Sequence, residues 1–540
     1  MSPKNQILSS RIAIILLASM VSIGLKGQTP PLRPSLVVGI MVDGLSYDQL
    51  DMLKGYFGEN GFKRLMRDGV TLTDVDYGSP LDPAAATAVI YTGAGASING
   101  LSAENRFDRA SRRVVPYFLD NNTIGNYTDE TMSPKALRST TISDELKIAT
   151  GGLGQIHSIA PQSSQALVMS STCGNSGFWI NDVTGKWATS TYYKDVPQPI
   201  HFRNIHAPLE ARLDTMTWSS AIEAGAFPYL PSYKKFFSFT HNFKKSDPDR
   251  IAKFKNSPVA NHEVRCVAED YIRTLNLGKG ENIDMLNLAM TLSPYNYGKE
   301  SDNRMELMDS YIRLDREIEA LFRNIDVNGP GMKNTLVFLA GTPAPVTARK
   351  EDEIWATNSG EFSPRRAISL LNMYLIALHG NGEWVTGYDS NRFFLNHDLI
   401  KEQNKDLKQM RSEAAEFLSR MAGVVDVVSL DDILAGRTSG AVTIPKRNIN
   451  LDTAGDIYTF IMPGWEIIDN GTTYADPHTY PVSQRIVAPM APVFLMGADL
   501  APQQISVPVD ARVIAPTVTS VLRIRSPNGA LLAPLRLSRK

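Results

Sequence analysis

Cysteine is scarce in this sequence, with only Cys173 and Cys266 among 540 residues. Two cysteines exclude a cysteine-rich zinc site, which usually takes roughly three or four thiolate ligands. Whether the two residues pair stays open, because the sequence does not give the distance between them. A disulfide in an oxidising compartment and two free buried thiols are equal alternatives.

An excess of charge of one sign is also lacking. The chain has 55 Lys and Arg residues against 56 Asp and Glu residues, for a net charge of −1. A nucleic-acid-binding protein normally carries a basic face, so this balance gives no support for a nucleic-acid partner. Apolar residues make up 43% of the chain, which is enough for a large buried core.

Long apolar runs are absent except for one at the N-terminus, "IAIILLASMVSIGL" (12–25), which Lys4 and Arg11 precede. A run this short after basic residues is typical of a secretory signal rather than of a membrane-spanning helix. We expect residues 1–27 to be a signal peptide, with cleavage near Gly27–Gln28. No cysteine follows the run, which argues against a lipoprotein anchor. The mature protein is expected to be periplasmic or secreted, without a transmembrane segment.

Apolar runs that are typical of buried parallel strands alternate with helical patterns along the chain. The predicted strands are 35–44, 70–78, 283–293, 334–341 and 491–497, and the predicted helices are 61–69, 302–324, 365–379 and 403–421. This alternation predicts an α/β fold with a mostly parallel sheet sandwiched by helices.

Two segments interrupt this pattern. Residues 172–262 open on an aromatic hairpin (177–193) that turns at "DVTGK", and they continue without helical periodicity. We interpret them as a cap-like insertion, and 437–490 as a second, irregular insertion. The α/β core is then expected in three parts, which are 28–171, 263–436 and 491–540.

The segment "FPYLPSYKKFFSFTHNFKK" (227–245) interleaves aromatic residues with lysines. Such a pattern either packs the cap onto the core or contacts a partner. The favoured interpretation is packing. The alternative partners are an envelope protein, a glycan or a lipid head group.

Several stretches occur in the order of a known family and span nearly the whole mature chain. They include "VVGIMVDGLSYDQL" (37–50), "FGENGFKRLMRDG" (57–69), "WINDVTGKWATSTYY" (179–193), 371–403 and "IAPTVTSVLRIRSPNG" (514–529). Through them the sequence resembles the alkaline phosphatase superfamily, in particular bacterial periplasmic alkaline phosphatases related to type I phosphodiesterases and nucleotide pyrophosphatases. The resemblance implies an alkaline phosphatase-like fold and phosphoryl transfer with two zinc ions, a Thr or Ser nucleophile, and Asp and His ligands.

Few of the residues that this resemblance implies are present. Asp43, at the end of the first predicted strand, is the only retained metal-ligand position. The nucleophile position falls at Pro83, at the start of a predicted helix, and proline has no hydroxyl. The other ligand positions hold residues that are not zinc ligands, namely Pro294, Gly298, Thr342, Pro343 and Met490.

The implied phosphate-binding groups are replaced as well. A Lys and an Arg of close relatives match Gln162 and Ser164, and neither of these carries a positive charge. An expected Asn falls at Glu104, whose carboxylate would repel a phosphate. All these changes lower the expected affinity for phosphate.

Each candidate also has a structural explanation. Asp43 is favoured as a turn residue before Gly44 over a remnant ligand. Asp82 is a plausible N-cap for a helix that begins at Pro83. Thr87, the nearest hydroxyl to the nucleophile position, is interpreted as a packed helix residue. Asp43, together with Asp476 and His478 of "YADPHTYP", forms a weak alternative site for a single metal.

The sequence therefore predicts an exported, catalytically degenerate protein that serves as a binding or scaffold component of the cell envelope. It predicts no catalytic residue and no cofactor. The alternatives are an active zinc-dependent phosphomonoesterase or phosphodiesterase with a rearranged site, and a hydrolase with a new, metal-free mechanism. A sulfatase is disfavoured, because its Cys/Ser-x-Pro-x-Arg pattern is missing.

Overall fold

The computed structural model describes most of the chain after the N-terminal segment. The described residues are 33–194, 196–227, 230, 235–236, 238–292, 295, 297, 303–343, 360–437, 444–462, 465–468 and 489–540. The apolar run 12–25 and the expected cleavage site at Gly27–Gln28 lie outside them.

Strands occur along the whole described part of the chain. In chain order these are β1 (Leu36–Asp43), β2 (Val70–Asp76), β3 (Asn105–Asp108), β4 (Arg113–Pro116), β5 (Gly125–Asn126), β6 (Ile156–Ile159), β7 (Ser176–Ile180), β8 (Trp187–Ser190), β9 (Thr217–Ser219), β10 (Thr240–Asn242), β11 (Asp284–Thr291), β12 (Thr335–Gly341), β13 (Gly360–Phe362), β14 (Val385–Asp389), β15 (Arg392–Leu395), β16 (Val424–Ser429), β17 (Ile457–Ile461), β18 (Trp465–Ile467), β19 (Met490–Gly497), β20 (Gln503–Ile505) and β21 (Val509–Asp510).

Helices alternate with these strands. In chain order they are α1 (Tyr47–Leu53), α2 (Phe62–Asp68), α3 (Pro83–Thr92), α4 (Ala96–Asn99), α5 (Ile142–Ala149), α6 (Ser163–Ser170), α7 (Gln198–His206), α8 (Leu209–Leu213), α9 (Arg250–Lys255), α10 (Pro258–Thr274), α11 (Arg304–Asn328), α12 (Pro364–His379), α13 (His397–Glu402), α14 (Leu407–Ser419), α15 (Leu430–Ala435) and α16 (Ile514–Leu522).

A large central sheet organises the described part of the chain. Its strand order is β20-β2-β19-β12-β1-β11-β6-β7-β8-β5, with β21 also paired to β2. The strands from β12 through β1, β11 and β6 to β7 are parallel, whereas β19 runs antiparallel between β12 and β2. The predicted α/β class with a mostly parallel sheet is confirmed.

Both faces of this sheet are buried, as the continuous apolar run of β1 predicts. Val38 and Ile40 of β1 belong to one hydrophobic cluster, with residues of α10 and α11. Val37 and Met41 belong to a second cluster, with residues of α3, α6 and α16. The sheet is therefore sandwiched by helices, and it buries alternate residues of one strand against opposite layers.

A second, antiparallel sheet has the order β14-β15-β17-β16. It packs with α12 and α14 around its own hydrophobic cluster, which includes Trp384 and Leu418. The hairpin β3-β4 contacts this sheet, where the rings of Phe107 and Phe394 stack with their centroids 4.4 Å apart.

The predicted hairpin over 177–193 is confirmed as β7 and β8, and it extends the central sheet. The domain boundaries at 172–262 and 437–490 stay a prediction. In the aromatic segment 227–245, Phe227 and Phe243 are buried and Phe236 is exposed, while 228–229, 231–234 and 237 lie outside the described residues.

A membrane-spanning helix must be long and nearly free of charged side chains. No helix within the described ranges meets that requirement.

Cys173 and Cys266 are free thiols, so the question of their pairing is settled in favour of two separate cysteines. The Cys266 Sγ lies 3.6 Å from both His262 Nε2 and Arg265 Nη2. His262 forms hydrogen bonds with the Cys266 sulfur and with Glu317. These two bonds, the first of them with the larger effect, raise the pKa of His262 to about 10. The Cys266 sulfur therefore contacts the side chains of both His262 and Arg265.

The surroundings of Cys173 differ from those of Cys266, and the two thiols should therefore differ in reactivity. Burial and the neighbouring Asp144 carboxylate raise the pKa of the Cys173 thiol. Near neutral pH, we expect Cys173 to react with Ellman's reagent about tenfold or more slowly than Cys266, because the thiolate is the nucleophile and the raised pKa of Cys173 lowers its thiolate fraction. The single variants Cys173→Ser and Cys266→Ser separate the two rates. Equal rates in the two variants would contradict the expectation.

Candidate active site

β1 ends at Asp43, near the middle of the central sheet. β1 lies between the parallel strands β11 and β12, and Asp43 pairs with Thr291. In open α/β sheets, ligands bind beyond the carboxyl ends of the strands. Asp43 is only 7% exposed, and it occupies that edge as the last residue of its strand.

The chain turns sharply after Asp43. Gly44 has a φ of +76°, a conformation that glycine adopts without a steric penalty. Its N–H donates a hydrogen bond to the Thr342 hydroxyl at 3.2 Å. Thr342 follows β12, so the ends of two neighbouring strands are linked beside Asp43.

The helix α3 begins at Pro83, and Asp82 is its N-cap. Asp82 Oδ1 accepts a hydrogen bond from the Ala85 N–H at 2.7 Å. Proline suits the first helical position, because an N–H there would have no partner within the helix. The prediction of this cap is confirmed.

Thr87 is a packed residue of the same helix. It is fully buried, and its hydroxyl donates to the Pro83 carbonyl at 2.6 Å. The proton of this hydroxyl is therefore committed to the backbone.

Gln165, near the start of α6, is the side chain that links these elements. Its Nε2 donates to Asp43 Oδ1 at 2.9 Å and to Thr87 Oγ1 at 3.3 Å. Its Oε1 is buried and has no hydrogen-bond partner. Gln165 belongs to no sequence motif. Only its position near the start of a helix that follows a strand of the sheet could have indicated a place in the site.

Glu104 lies next to the same helix. Glu104 Oε1 accepts a hydrogen bond from the Ser164 hydroxyl at 2.7 Å, and its backbone N–H donates to Asp82 Oδ2 at 2.6 Å. Consecutive residues of α6, Ser164 and Gln165, thus hold Glu104 and Asp43. We call Asp43, Asp82, Glu104 and Gln165 the acidic cluster.

The carboxylates of the acidic cluster resist ionisation. Burial raises the pKa of Asp43 to about 7, and repulsion from Glu104 and Asp82 adds to the shift, while the hydrogen bond from Gln165 opposes it. Burial also raises the pKa of Asp82 and of Glu104. The charge of Arg392 opposes the shift at Asp82, and the charge of Lys255 opposes the shift at Glu104.

The other positions that the sequence resemblance singled out lie near this edge of the sheet or outside the described residues. Met490 is the first residue of β19, which enters the sheet from the same edge because it runs antiparallel. Gln162 precedes α6 without capping it through its side chain. Four residues weighed in the sequence lie outside the described residues, which are Pro294, Gly298, Asp476 and His478.

Comparison with known proteins identifies the family. The family profile described as type I phosphodiesterase / nucleotide pyrophosphatase matches residues 37–480, which is most of the chain. The chain belongs to this family. The resemblance to the alkaline phosphatase superfamily is therefore confirmed.

Two relatives of this phosphodiesterase family align over nearly their whole length. Alkaline phosphatase PhoV of Synechococcus elongatus is 28% identical over 538 residues, and the alignment covers 92% of each chain. Alkaline phosphatase PafA of Elizabethkingia meningoseptica is 26% identical over 532 residues, covering 93% of this chain and 94% of PafA. A crystal structure of wild-type PafA has the same fold, with a TM-score of 0.78 at 24% identity over 93% of this chain and 98% of that chain.

These matches overturn the expectation of a non-catalytic scaffold. Relatives that share the whole architecture are named alkaline phosphatases, so the prediction that the chain is not an enzyme is wrong. The prediction that it needs no cofactor is wrong on the same ground, because membership of the superfamily implies zinc. The expectation rested on the side chains at single aligned positions, whereas the matches to these relatives extend over more than nine-tenths of the chain.

The described residues do not by themselves fit two zinc ions. Pro83 and Pro343 offer no side-chain ligand atom, Met490 offers only a thioether, and the Thr342 hydroxyl accepts the Gly44 N–H. Within the described ranges, no group of three or more His, Cys, Asp or Glu side chains is placed to hold a metal ion. Among the described residues at these ligand positions, Asp43 alone has a side chain that commonly binds zinc.

Proposed function

We propose that the protein is a phosphoric ester hydrolase, a metal-dependent phosphomonoesterase or phosphodiesterase with a rearranged site. The family match over 37–480 carries this proposal. Asp43 supports it, because this carboxylate keeps a ligand position at the carboxyl edge of the sheet. Asp43 is held there by Gln165, which orients one carboxylate oxygen.

We further propose that water attacks the ester directly. Pro83 has no hydroxyl, and two described hydroxyls nearby donate their protons to other groups. Thr87 donates to the Pro83 carbonyl, and Ser164 donates to Glu104. In this course the water oxygen bonds to phosphorus, the ester P–O bond breaks, and the alcohol leaves with a proton. No phosphate becomes attached to the protein.

The proposed location is the periplasm or the cell exterior. The basic residues and the apolar run 12–25 support it, since they are typical of a secretory signal.

Metal analysis of the purified full chain, combined with hydrolysis of p-nitrophenyl phosphate and bis-p-nitrophenyl phosphate, tests the proposal. We expect bound divalent metal and turnover of at least one ester, with turnover lost on chelation and restored by added zinc. Asp43→Asn should lower turnover by about a hundredfold or more. The control Asp452→Asn removes an exposed carboxylate and should leave turnover unchanged. A protein with neither metal nor turnover would overturn the proposal.

A second arm tests the attack by water. With p-nitrophenyl phosphate as the substrate and glycerol present, we expect orthophosphate as the only product that contains phosphorus. Glycerol phosphate among the products would show transfer through a phosphorylated side chain, and it would contradict attack by water.

A further inference from the structure

A histidine and a cysteine lie one turn apart on the outer face of α10. His262 and Cys266 are four positions apart, which places their side chains on the same face of a helix. The His262 side chain is 53% exposed, and Cys266 is partly exposed. Asn261, in contrast, is fully buried and bonds to the backbone of Thr291 in β11. The pair therefore faces solvent, on the side of α10 that is turned away from the central sheet.

The distance between these two side chains is that between two ligands of one metal ion. Cys266 Sγ lies 3.6 Å from His262 Nε2. A tetrahedral zinc ion, bound at about 2.3 Å to sulfur and about 2.0–2.1 Å to nitrogen, separates its two ligand atoms by about 3.5–3.6 Å. The same spacing permits a hydrogen bond in the metal-free chain. A metal ion can therefore replace the proton between the two atoms without moving the helix, and that proton passes to solvent.

Glu317, on α11, orients the imidazole of His262. Glu317 Oε1 lies 3.2 Å from His262 Nδ1. An ionised carboxylate only accepts hydrogen bonds, so this contact keeps a proton on Nδ1 and leaves the lone pair of a neutral imidazole on Nε2. Metal-binding histidines commonly donate their second N–H to a carboxylate in the same way. This contact comes from a different helix, so it is independent of the spacing within α10.

We propose that His262 and Cys266 bind a zinc ion on the surface of α10, with Glu317 as the positioning residue for the imidazole. No third His, Cys, Asp or Glu among the described residues is placed to bind the same ion, so water completes its coordination. Zinc is favoured over magnesium and calcium, because thiolate and imidazole suit zinc whereas hard cations take oxygen ligands. The site lies outside the acidic cluster, and it does not depend on the proposed hydrolase function.

Two arginines lie near the sulfur, and carboxylates offset the charge of both. Arg265 Nη2 is 3.6 Å from Cys266 Sγ, and Arg203 is near enough for its charge to interact with that of Cys266. Each guanidinium pairs with two carboxylates, which are Glu317 and Glu269 at Arg265, and Glu263 and Asp270 at Arg203. The positive charge of the arginines is therefore already paired before a metal ion arrives.

Cobalt(II) added to the full chain, after chelation has removed bound metal, reports this site spectroscopically. We expect the near-ultraviolet charge-transfer band of a cobalt–thiolate bond, which a site with only oxygen and nitrogen ligands does not give. Added Zn²⁺ should abolish the band, because zinc binds such ligands more tightly than cobalt does. Cys266→Ser should lose the band, and the matched control Cys173→Ser should keep it.

Protection of the thiol measures the binding of zinc itself. In the Cys173→Ser variant, we expect Zn²⁺ to slow the reaction of Cys266 with Ellman's reagent about tenfold or more, because a metal-bound thiolate is not free to attack. Mg²⁺ should have no effect. Adding Glu317→Gln to this variant should raise the zinc concentration needed for protection about 10–100-fold. Glu319→Gln, which changes a carboxylate on the same helix that pairs with Arg323, is the matched control and should not.

Three results would overturn the inference. The first is a folded chain that gives no cobalt–thiolate band, or a band that survives in Cys266→Ser. The second is protection of Cys266 by zinc that is unchanged when His262→Gln is added to the Cys173→Ser variant. The third is equal protection by Mg²⁺, which would show an effect of charge alone. Circular dichroism and the Tm verify that each variant folds.

Discussion

Replacing Asp456 by Asn is expected to lower the free energy of unfolding by about 3–5 kcal/mol, because it removes the charge of a buried carboxylate that pairs with Arg109 and Arg411. Asp456 is fully buried. Its Oδ1 accepts from Arg411 Nε at 2.8 Å and from His397 Nε2 at 2.8 Å, and its Oδ2 accepts from Arg109 Nη2 at 3.1 Å. One carboxylate thus joins α14, the start of α13 and the hairpin β3-β4.

The charge of Asp456 is strongly stabilised in the fold. Burial alone would raise the pKa of Asp456, but the hydrogen bond from His397 and the charges of Arg109 and Arg411 lower it to about 2. Asparagine keeps the shape and loses the charge, so Arg109 would lose its carboxylate partner and Arg411 would keep only Asp431.

Urea unfolding followed by circular dichroism measures the effect of Asp456→Asn. The matched control is Asp452→Asn, since Asp452 pairs with Arg138 but both side chains are well exposed. Exposed ion pairs contribute about 1 kcal/mol or less, so the control should stay close to the wild type. Similar losses in the two variants would show that the network around Asp456 does not act as a buried ionic centre.

Acidification is expected to destabilise the fold through His157. His157 is buried in β6, where its Nδ1 lies 2.7 Å from the Ser176 hydroxyl oxygen and its ring packs edge-on against Tyr271. Burial, with a smaller effect of Lys147, lowers the pKa of His157 from 6.5 to about 3. The folded protein therefore keeps this imidazole neutral at pH values where the unfolded chain protonates it.

The direction of the pH effect on the free energy of unfolding follows from this difference in pKa. The stabilisation is complete above pH 6.5, and it is lost as the pH falls from 6.5 towards 3, because the unfolded state binds the additional proton. At about pH 4.5 the loss amounts to about 2–3 kcal/mol. His157→Gln removes the titrating ring, so the free energy of unfolding of this variant should fall less steeply over the same range. Parallel pH profiles for the wild type and the variant would contradict the assignment.

Much of the fold follows from local patterns in the sequence. A continuous apolar run predicts β1, because both of its faces are buried, and Asp82 before Pro83 predicts the start of α3. The direction of β19 does not follow in this way, because a short apolar run carries no information about whether its neighbours are parallel.

The site was harder to predict than the fold. Gln165 is an ordinary amide in the sequence, and only the packing of α6 against β1 and α3 brings it to Asp43 and Thr87. Asp456 and Arg109 are 347 positions apart, so their pairing has no local signature. The loss of function was wrongly predicted because it was judged from single aligned residues, whereas the similarity to the alkaline phosphatases PhoV and PafA extends over nearly the whole chain.

The carboxylate of Glu104, fixed by Ser164 and by Asp82 through its backbone, has a consequence for the end of a catalytic cycle. Orthophosphate released beside it would carry charge of the same sign and would be driven outward. The phosphate product would then dissociate readily and inhibit little. Binding of the ester would therefore limit the rate of turnover at low substrate concentration.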